Sequence, residues 1–360
     1  MGRIDALFNL MIEMNASDLH ISVGAPPMLR INGELQKIKH APLEYEDTKH
    51  LLYEILTKQQ IASFESENSL DFAYTIQNKT RFRANIFRQH RGLSAVFRHI
   101  PSEIRSIQEL GLPDVVQDLA RLTRGLVLVT GPAGSGKSTT LAAMVDLINN
   151  EIKGHIITLE DPLEFIHQNR SCLINQRQIG DHFKSFAGAL RAAFREDPDV
   201  VLVGEMRDLK TISLAITAAE AGLMVLGTLH TASAAKTVDR IIDAFPKEQQ
   251  EQVRVQLSDS LRGVIAQNLI PRADGSGRIA VVEVLICNPA IQNKIREGKT
   301  FQILSIMQTG KRDGMQLFDQ SLMSHLDDGL ITPETAYKHA YHKEAFLSHL
   351  NTKPRSYAVK

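Results

Sequence analysis

The chain has 360 residues, and its 41 Lys and Arg balance its 41 Asp and Glu, so the formal net charge is zero. A hydrophobic share of 43% beside 23% charged residues is ordinary globular composition, which excludes global disorder and argues against a wholly basic nucleic-acid binder. The length suits two domains. Cys172 and Cys287 form neither a disulfide framework nor a CxxC pair, so no structural zinc site is expected. The N-terminal stretch carries Asp5 and Glu13 and lacks an apolar h-region, so it does not read as a signal peptide. No run approaches the roughly 18 apolar residues of a membrane helix.

In chain order, Ile4, Leu7, Phe8, Met11 and Ile12 recur at helical spacing, and Leu19–Val23 and Met28–Ile31 read as short strands before a turn at Asn32-Gly33. Thr48 to Phe64 fits a helix pair or one kinked helix. Residues from Leu70 to Ile100 alternate as three strands. Residues 1–100 are therefore expected to form a small α+β domain, 101–113 a linker with its own short helix, and 114–360 a second domain. In that second domain the apolar runs Leu126–Val129, Ile156-Ile157, Val200–Val203 and Met224–Leu226 alternate with helical stretches at Lys137–Asn149, Phe186–Arg195 and Leu209–Ala221. Continuous apolar strands separated by helices predict a parallel α/β sheet covered on both faces. Arg278–Ile286 adds one strand, and helices follow to about Leu350.

The sharpest motif is Gly131-Pro132-Ala133-Gly134-Ser135-Gly136-Lys137-Ser138, followed by Thr139. It fits the phosphate-loop pattern and stands between an apolar strand and a helix, the context that pattern requires. Glycines let backbone N–H groups curl around phosphate at a helix N-terminus. Lys137 would reach the β- and γ-phosphates of a nucleotide such as ATP, and Ser138 would hold Mg²⁺. Glu205, after the apolar run Val200–Val203, stands at a strand's carboxyl end and is the second metal candidate. Glu160, Asp161 and Glu164 end another strand and could orient or deprotonate water. His230 follows Met224–Leu229 and could read a γ-phosphate, although a lone histidine there is more often structural. From Phe72 to Ser102 there is no acid but there are five arginines, Arg81, Arg83, Arg88, Arg91 and Arg98. They read as a solvated face, an arginine finger or a phosphate-binding surface.

GPAGSGKST, ITLEDPLEF, VLVGEMRD and GTLHTASAAKTVDRIIDAFP, in that order, resemble the secretion-superfamily ATPases of the GspE/PilT type, those that retract type IV pili in particular. The likeness runs from ASDLH near the N-terminus through GMQLFDQSL to the C-terminal helices, nearly the whole chain. The resemblance implies a PAS-like first domain, a RecA-like P-loop ATPase domain and a homohexameric ring. It makes Gly131–Ser138 the Walker A loop, Glu164 the general base of the Asp box, Glu205 the Walker B acid near Mg²⁺ and His230 the His box. Arg83 and Arg98 match nucleotide-contacting arginines of the first domain. It further implies an inner-membrane platform protein of the PilC type as partner, a cytoplasmic location at that membrane, and no stable nucleic acid. The family's AIRNLIREGK-like segment stands here as Ala290–Lys299, with Gln292 and Lys294 departing from it. That leaves a specialised paralogue of the retraction motor as an alternative. A related DNA-translocating ATPase and a non-hydrolysing ring subunit are the other readings.

Overall fold

The structure, a computed structural model, describes residues 3–31, 33–76, 80–100 and 103–350. The chain divides into two compact units: Met1–Glu103 with Pro162–Ile166, and Ile104–Asp161 with His167–Lys360.

The first unit contains α1 (Arg3–Glu13), β1 (Asp18–Ser22), β2 (Met28–Ile31), β3 (Glu34–Lys37), α2 (Tyr45–Tyr53), α3 (Lys58–Glu67), β4 (Ser69–Ile76), β5 (Thr80–Gln89) and β6 (Gly92–Ile100). The helical region from Thr48 to Phe64 is thus two helices. Thr57 starts the second with a capping box in which Thr57 and Gln60 satisfy each other's backbone N–H. Part of the Asn32-Gly33 turn lies outside the described residues. The strands form one sheet in the order β3-β2-β1-β6-β5-β4, with antiparallel pairing throughout. Strand alternation separates its two faces. The register row Leu29, Leu19, Phe97, Ala84, Phe72 is buried, with Phe8 of α1 stacked 4.4 Å from Phe82 and edge-on 4.9 Å from Phe97. The adjacent row, Arg30, Asp18, Arg98, Arg83, lies on the opposite face.

The second unit begins with turns over 107–111 where a linker helix was expected. Ile107 and Leu112 are already buried in its core. Then come α4 (Val115–Ala120), β7 (Gly125–Thr130), α5 (Lys137–Glu151), β8 (His155–Glu160), β9 (Leu173–Gln178), α6 (Phe186–Ala193), β10 (Val200–Val203), α7 (Leu209–Glu220) and β11 (Met224–Leu229). α8 (Ala234–Asp243), α9 (Lys247–Ser260), β12 (Leu261–Pro271), β13 (Arg278–Ile286), α10 (Pro289–Arg296), α11 (Ile303–Thr309), α12 (Phe318–Asp327) and α13 (Pro333–His339) complete it. The sheet order is β13-β12-β7-β11-β10-β8-β9, parallel except for the antiparallel β12–β13 hairpin. Alternate residues of the same strands feed two cores. Leu126, Leu128, Val201 and Val203 join one, while Val127, Val129, Val200 and Leu202 join the other. That double burial is why these strands are apolar without alternation.

β9 and β12 were not marked in the sequence. β12 reads as Leu261-Arg-Gly-Val-Ile-Ala-Gln-Asn-Leu-Ile-Pro271, in which Arg262, Gln267 and Asn268 interrupt the apolar pattern. Gln267 has a use in the tertiary structure.

His167 gives the second unit a pH-sensitive element. Its Nδ1 is buried with no hydrogen-bond partner among the described residues, and burial pushes its imidazole from the usual 6.5 down to about 4. The unfolded chain then binds a proton first as pH falls, so stability is lost as pH drops from 6.5 through about 4. His167→Gln should flatten this slope in denaturant titrations across that window. Equal slopes for the two proteins would mean that the ring is not desolvated.

Candidate active site

The loop from Gly131 to Gly136 joins the carboxyl end of β7 to the N-terminus of α5. Its shape depends on backbone that only glycine adopts. Gly131 has φ +144°, and a Cβ there would lie 2.2 Å from the carbonyl oxygen of Gln267 and 2.5 Å from Ser135 Oγ. Ala133 and Gly134 are exposed at the tip, Ser135 is buried, and Ser138 and Thr139 are half-buried on the first turn of α5. Ser135 Oγ is buried with no hydrogen-bond partner among the described residues. A glycine-walled cradle with an orphaned hydroxyl at a helix N-terminus fits an oxyanion.

Gln267 was missed by the sequence reading and holds this loop in place. Its Nε2 donates to the Ser135 carbonyl at 2.8 Å, and its Oε1 accepts from Thr140 Oγ1 at 2.7 Å, both buried. One side chain therefore ties the loop and the helix that follows it to β12. A second missed residue is Glu283 on β13. Its carboxylate is 4% exposed and accepts from the Ala234 N–H at 2.6 Å, at the start of α8. Burial pushes the Glu283 carboxyl up, against the pull of those backbone donors. Between β11 and α8, Thr231 and Thr237 share a 2.7 Å hydroxyl contact, and Thr237 also donates to the Ser233 carbonyl. These bonds fix the segment that carries His230. The only sequence signal for them was a carboxylate or amide inside an apolar strand.

Lys137, His230, Glu205 and Arg207 form one chain of contacts. Lys137 Nζ donates to the carbonyls of Gly131 at 2.9 Å and Pro132 at 3.0 Å, and lies 3.4 Å from His230 Nδ1. His230 Nε2 is 3.1 Å from Glu205 Oε1. Arg207 Nε reaches the same Glu205 oxygen at 2.5 Å. Burial would push the Glu205 carboxyl up, but the hydrogen bonds and charges of Arg207 and His230 outweigh it and hold it below the usual carboxylate range. Glu205 sits beside the end of β8 because residue 204 is glycine: a Cβ there would lie 2.9 Å from the Leu159 carbonyl.

The acids of Glu160–Glu164 separate. Glu160 accepts from Thr158 Oγ1 at 2.6 Å and from Gln176 Nε2 at 3.3 Å. Asp161 is exposed and adds a favourable charge to Arg207. Glu164 is half-buried in Pro162–Ile166, the stretch that groups with the first unit. Within the first unit, Arg83 and Arg98 are exposed and paired in register across β5 and β6. Asp18 of β1, 3% exposed, accepts from Arg98 Nε at 2.8 Å and lies 3.8 Å from Arg30. Glu65 of α3 pairs with Arg88. The arginine stretch is acid-free in sequence, but two acids from other elements meet it in space.

A cavity of about 550 Å³ opens beside the loop, lined by Leu110, Leu112, Gly136, Thr139, Leu269 and Arg272 among others. Its position against the first turn of α5 gives a nucleoside room next to the phosphate cradle. Together the parallel sheet, the glycine loop and the lysine–histidine–glutamate line define a P-loop ATPase of RecA-like fold.

The chain belongs to the Type II/IV secretion system protein family, whose description matches residues 2–276. It is 49% identical over 343 residues to the type IV pilus retraction ATPase PilT of Pseudomonas aeruginosa, covering 95% of this chain and 99% of that protein. It is 39% identical over 336 residues to the type IV pilus ATPase PilU of the same organism, covering 93% and 88%. The crystal structure of the pilus retraction motor PilT with bound ADP superposes with a TM-score of 0.88 at 45% identity, over 96% of this chain and 98% of that one.

Gln267→Leu should leave the Ser135 carbonyl and the Thr140 hydroxyl buried and unpaired, a cost of about 1–3 kcal/mol. The expected result is ADP affinity reduced about tenfold by calorimetry, on a chain that still folds. Wild-type ADP affinity in this variant would show that the loop keeps its shape without the clamp.

Proposed function

We propose that this protein is the ATP-hydrolysing motor that retracts type IV pili. The observation that carries the reading is the end-to-end likeness to retraction ATPases, combined with an intact phosphate loop whose lysine, histidine and glutamate stand in one line. ATP would seat its phosphates on the backbone of residues 131–139, with Lys137 released from its loop carbonyls to the β- and γ-phosphates. The residues fit Mg²⁺ by donor type: a hydroxyl at Ser138 and a carboxylate at Glu205 are hard oxygen ligands. Mg²⁺ typically takes only one or two such protein ligands beside phosphate and water. Among the described residues no group of three or more His, Cys, Asp or Glu could hold a metal by itself, consistent with a cation carried in on the nucleotide. Bound Mg²⁺ would neutralise charge developing on the phosphates.

Glu164 would take the proton of the attacking water. His230 would register the γ-phosphate through the loss of its Lys137 contact. Arg83 and Arg98 would supply positive charge to the phosphates, within or between subunits. Six copies in a ring would pass the resulting movement to a platform protein of the PilC type at the cytoplasmic side of the inner membrane. Among the described residues no helix is long and apolar enough to cross a membrane, so that contact would be peripheral. The departures at Gln292 and Lys294 on α10 keep the specialised-paralogue reading open.

Glu164→Gln should keep ATP binding and lose hydrolysis by about a hundredfold or more, the usual worth of a general base. Unchanged turnover would move the base to another acid. Cells lacking the protein should carry excess surface pili and fail to twitch; pili lost from the surface would point to assembly and sink the retraction reading.

A further inference from the structure

Glu205 has a cation already. Arg207 Nε lies 2.5 Å from its Oε1, and His230 Nε2 meets the same oxygen at 3.1 Å. Glu205 is largely buried, with a side chain 17% exposed, whereas the Arg207 side chain is 67% exposed. The backbone on either side of Arg207 is fixed. Met206 is 1% exposed and its N–H donates to the Thr228 carbonyl at 3.1 Å. Asp208 caps α7 through the Thr211 N–H at 3.0 Å and the Thr211 hydroxyl at 2.7 Å. The guanidinium can therefore leave Glu205 by side-chain rotation alone. The Asp161 charge also favours the charged guanidinium, by less than the Glu205 carboxylate does.

We propose that Arg207 is a built-in stand-in for the divalent cation, holding the Glu205 carboxylate in the metal-free protein and giving it up to Mg²⁺ by side-chain rotation. This rests on the reading that Glu205 helps to hold Mg²⁺. The physical reason for such a device is electrostatic. A half-buried carboxylate without a partner would repel an incoming polyphosphate. A guanidinium neutralises it until a doubly charged ion arrives with the nucleotide and outcompetes a single charge. Arg207 is thus a positioning residue that sets how much Mg²⁺ the site needs.

The test is calorimetric and does not use turnover. ADP is titrated into the full-length protein without Mg²⁺, and Mg²⁺ is then titrated into the ADP-bound protein. Arg207→Gln should shift the two constants in opposite directions: metal-free ADP binds about two- to fivefold more weakly, and half-saturation by Mg²⁺ falls about two- to fivefold, the worth of one partly exposed ion pair. Arg207→Lys should restore most of the wild-type behaviour. A structural defect would weaken both constants in Arg207→Gln, and that result, or no shift in either, overturns the proposal. Glu205→Gln separates the two layers. If it leaves Mg²⁺ binding unchanged, the metal reading falls and the stand-in with it. If it weakens Mg²⁺ binding while Arg207→Gln does not tighten it, only the stand-in falls.

Discussion

A loop that binds phosphate keeps backbone N–H groups available for the ligand, so it cannot use all of them to hold its own shape. Its conformation must be imposed from outside, and here Gln267 does this. Its amide bridges the Ser135 carbonyl and the Thr140 hydroxyl from a neighbouring parallel strand. The Gln267 backbone lies so close to Gly131 that no side chain fits between them. Removing one bond partner in such a buried pair leaves the other with a full desolvation cost, so the clamp is worth more than its two bonds suggest. The rest of the site is built outward from a loop so fixed. Lys137 folds back on the loop's carbonyls, His230 bridges to Glu205, and Glu205 reaches Arg207.

The site is electrostatically closed on itself. The lysine faces carbonyl oxygens, the carboxylate faces a guanidinium, and an imidazole connects them. Burying charges is tolerable when each has a partner and costly when one is left alone. Under the proposed function, an arriving nucleotide and cation would exchange these internal partners for external ones, so the change in free energy would be smaller than the strength of any single new contact. The same economy occurs in the first unit, where Asp18 holds Arg98 and lies near Arg30 on an otherwise basic face.

The balance of 41 basic against 41 acidic residues is the sum of such local pairings rather than an absence of strong fields. The sequence shows a 31-residue stretch from Phe72 to Ser102 with five arginines and no acid, which suggests an uncompensated basic strip. In the fold, Asp18 and Glu65 come to it from β1 and α3. Among the described residues Arg83 forms no ion pair with a carboxylate, and it lies beside Arg98 by register. A basic patch in one dimension is therefore partly an ion-pair network in three.

The sequence by itself determined the apolar strands β7, β8, β10 and β11, the phosphate loop between a strand and a helix, and the family. These follow from local features: double-sided burial forces continuous apolar runs, and an oxyanion cradle requires glycine at fixed spacing. It did not reveal β12, because Arg262, Gln267 and Asn268 break the apolar pattern of that strand. It also could not assign Gln267, Glu283 or Arg207, whose roles depend on partners 132, 49 and two residues away, reached through parallel pairing and crossover helices. Periodicity records which side of an element is buried. Only the tertiary structure decides which polar groups meet there, since a buried amide or carboxylate is placed by the partner that satisfies it, and for Gln267 and Glu283 that partner comes from a distant loop or helix.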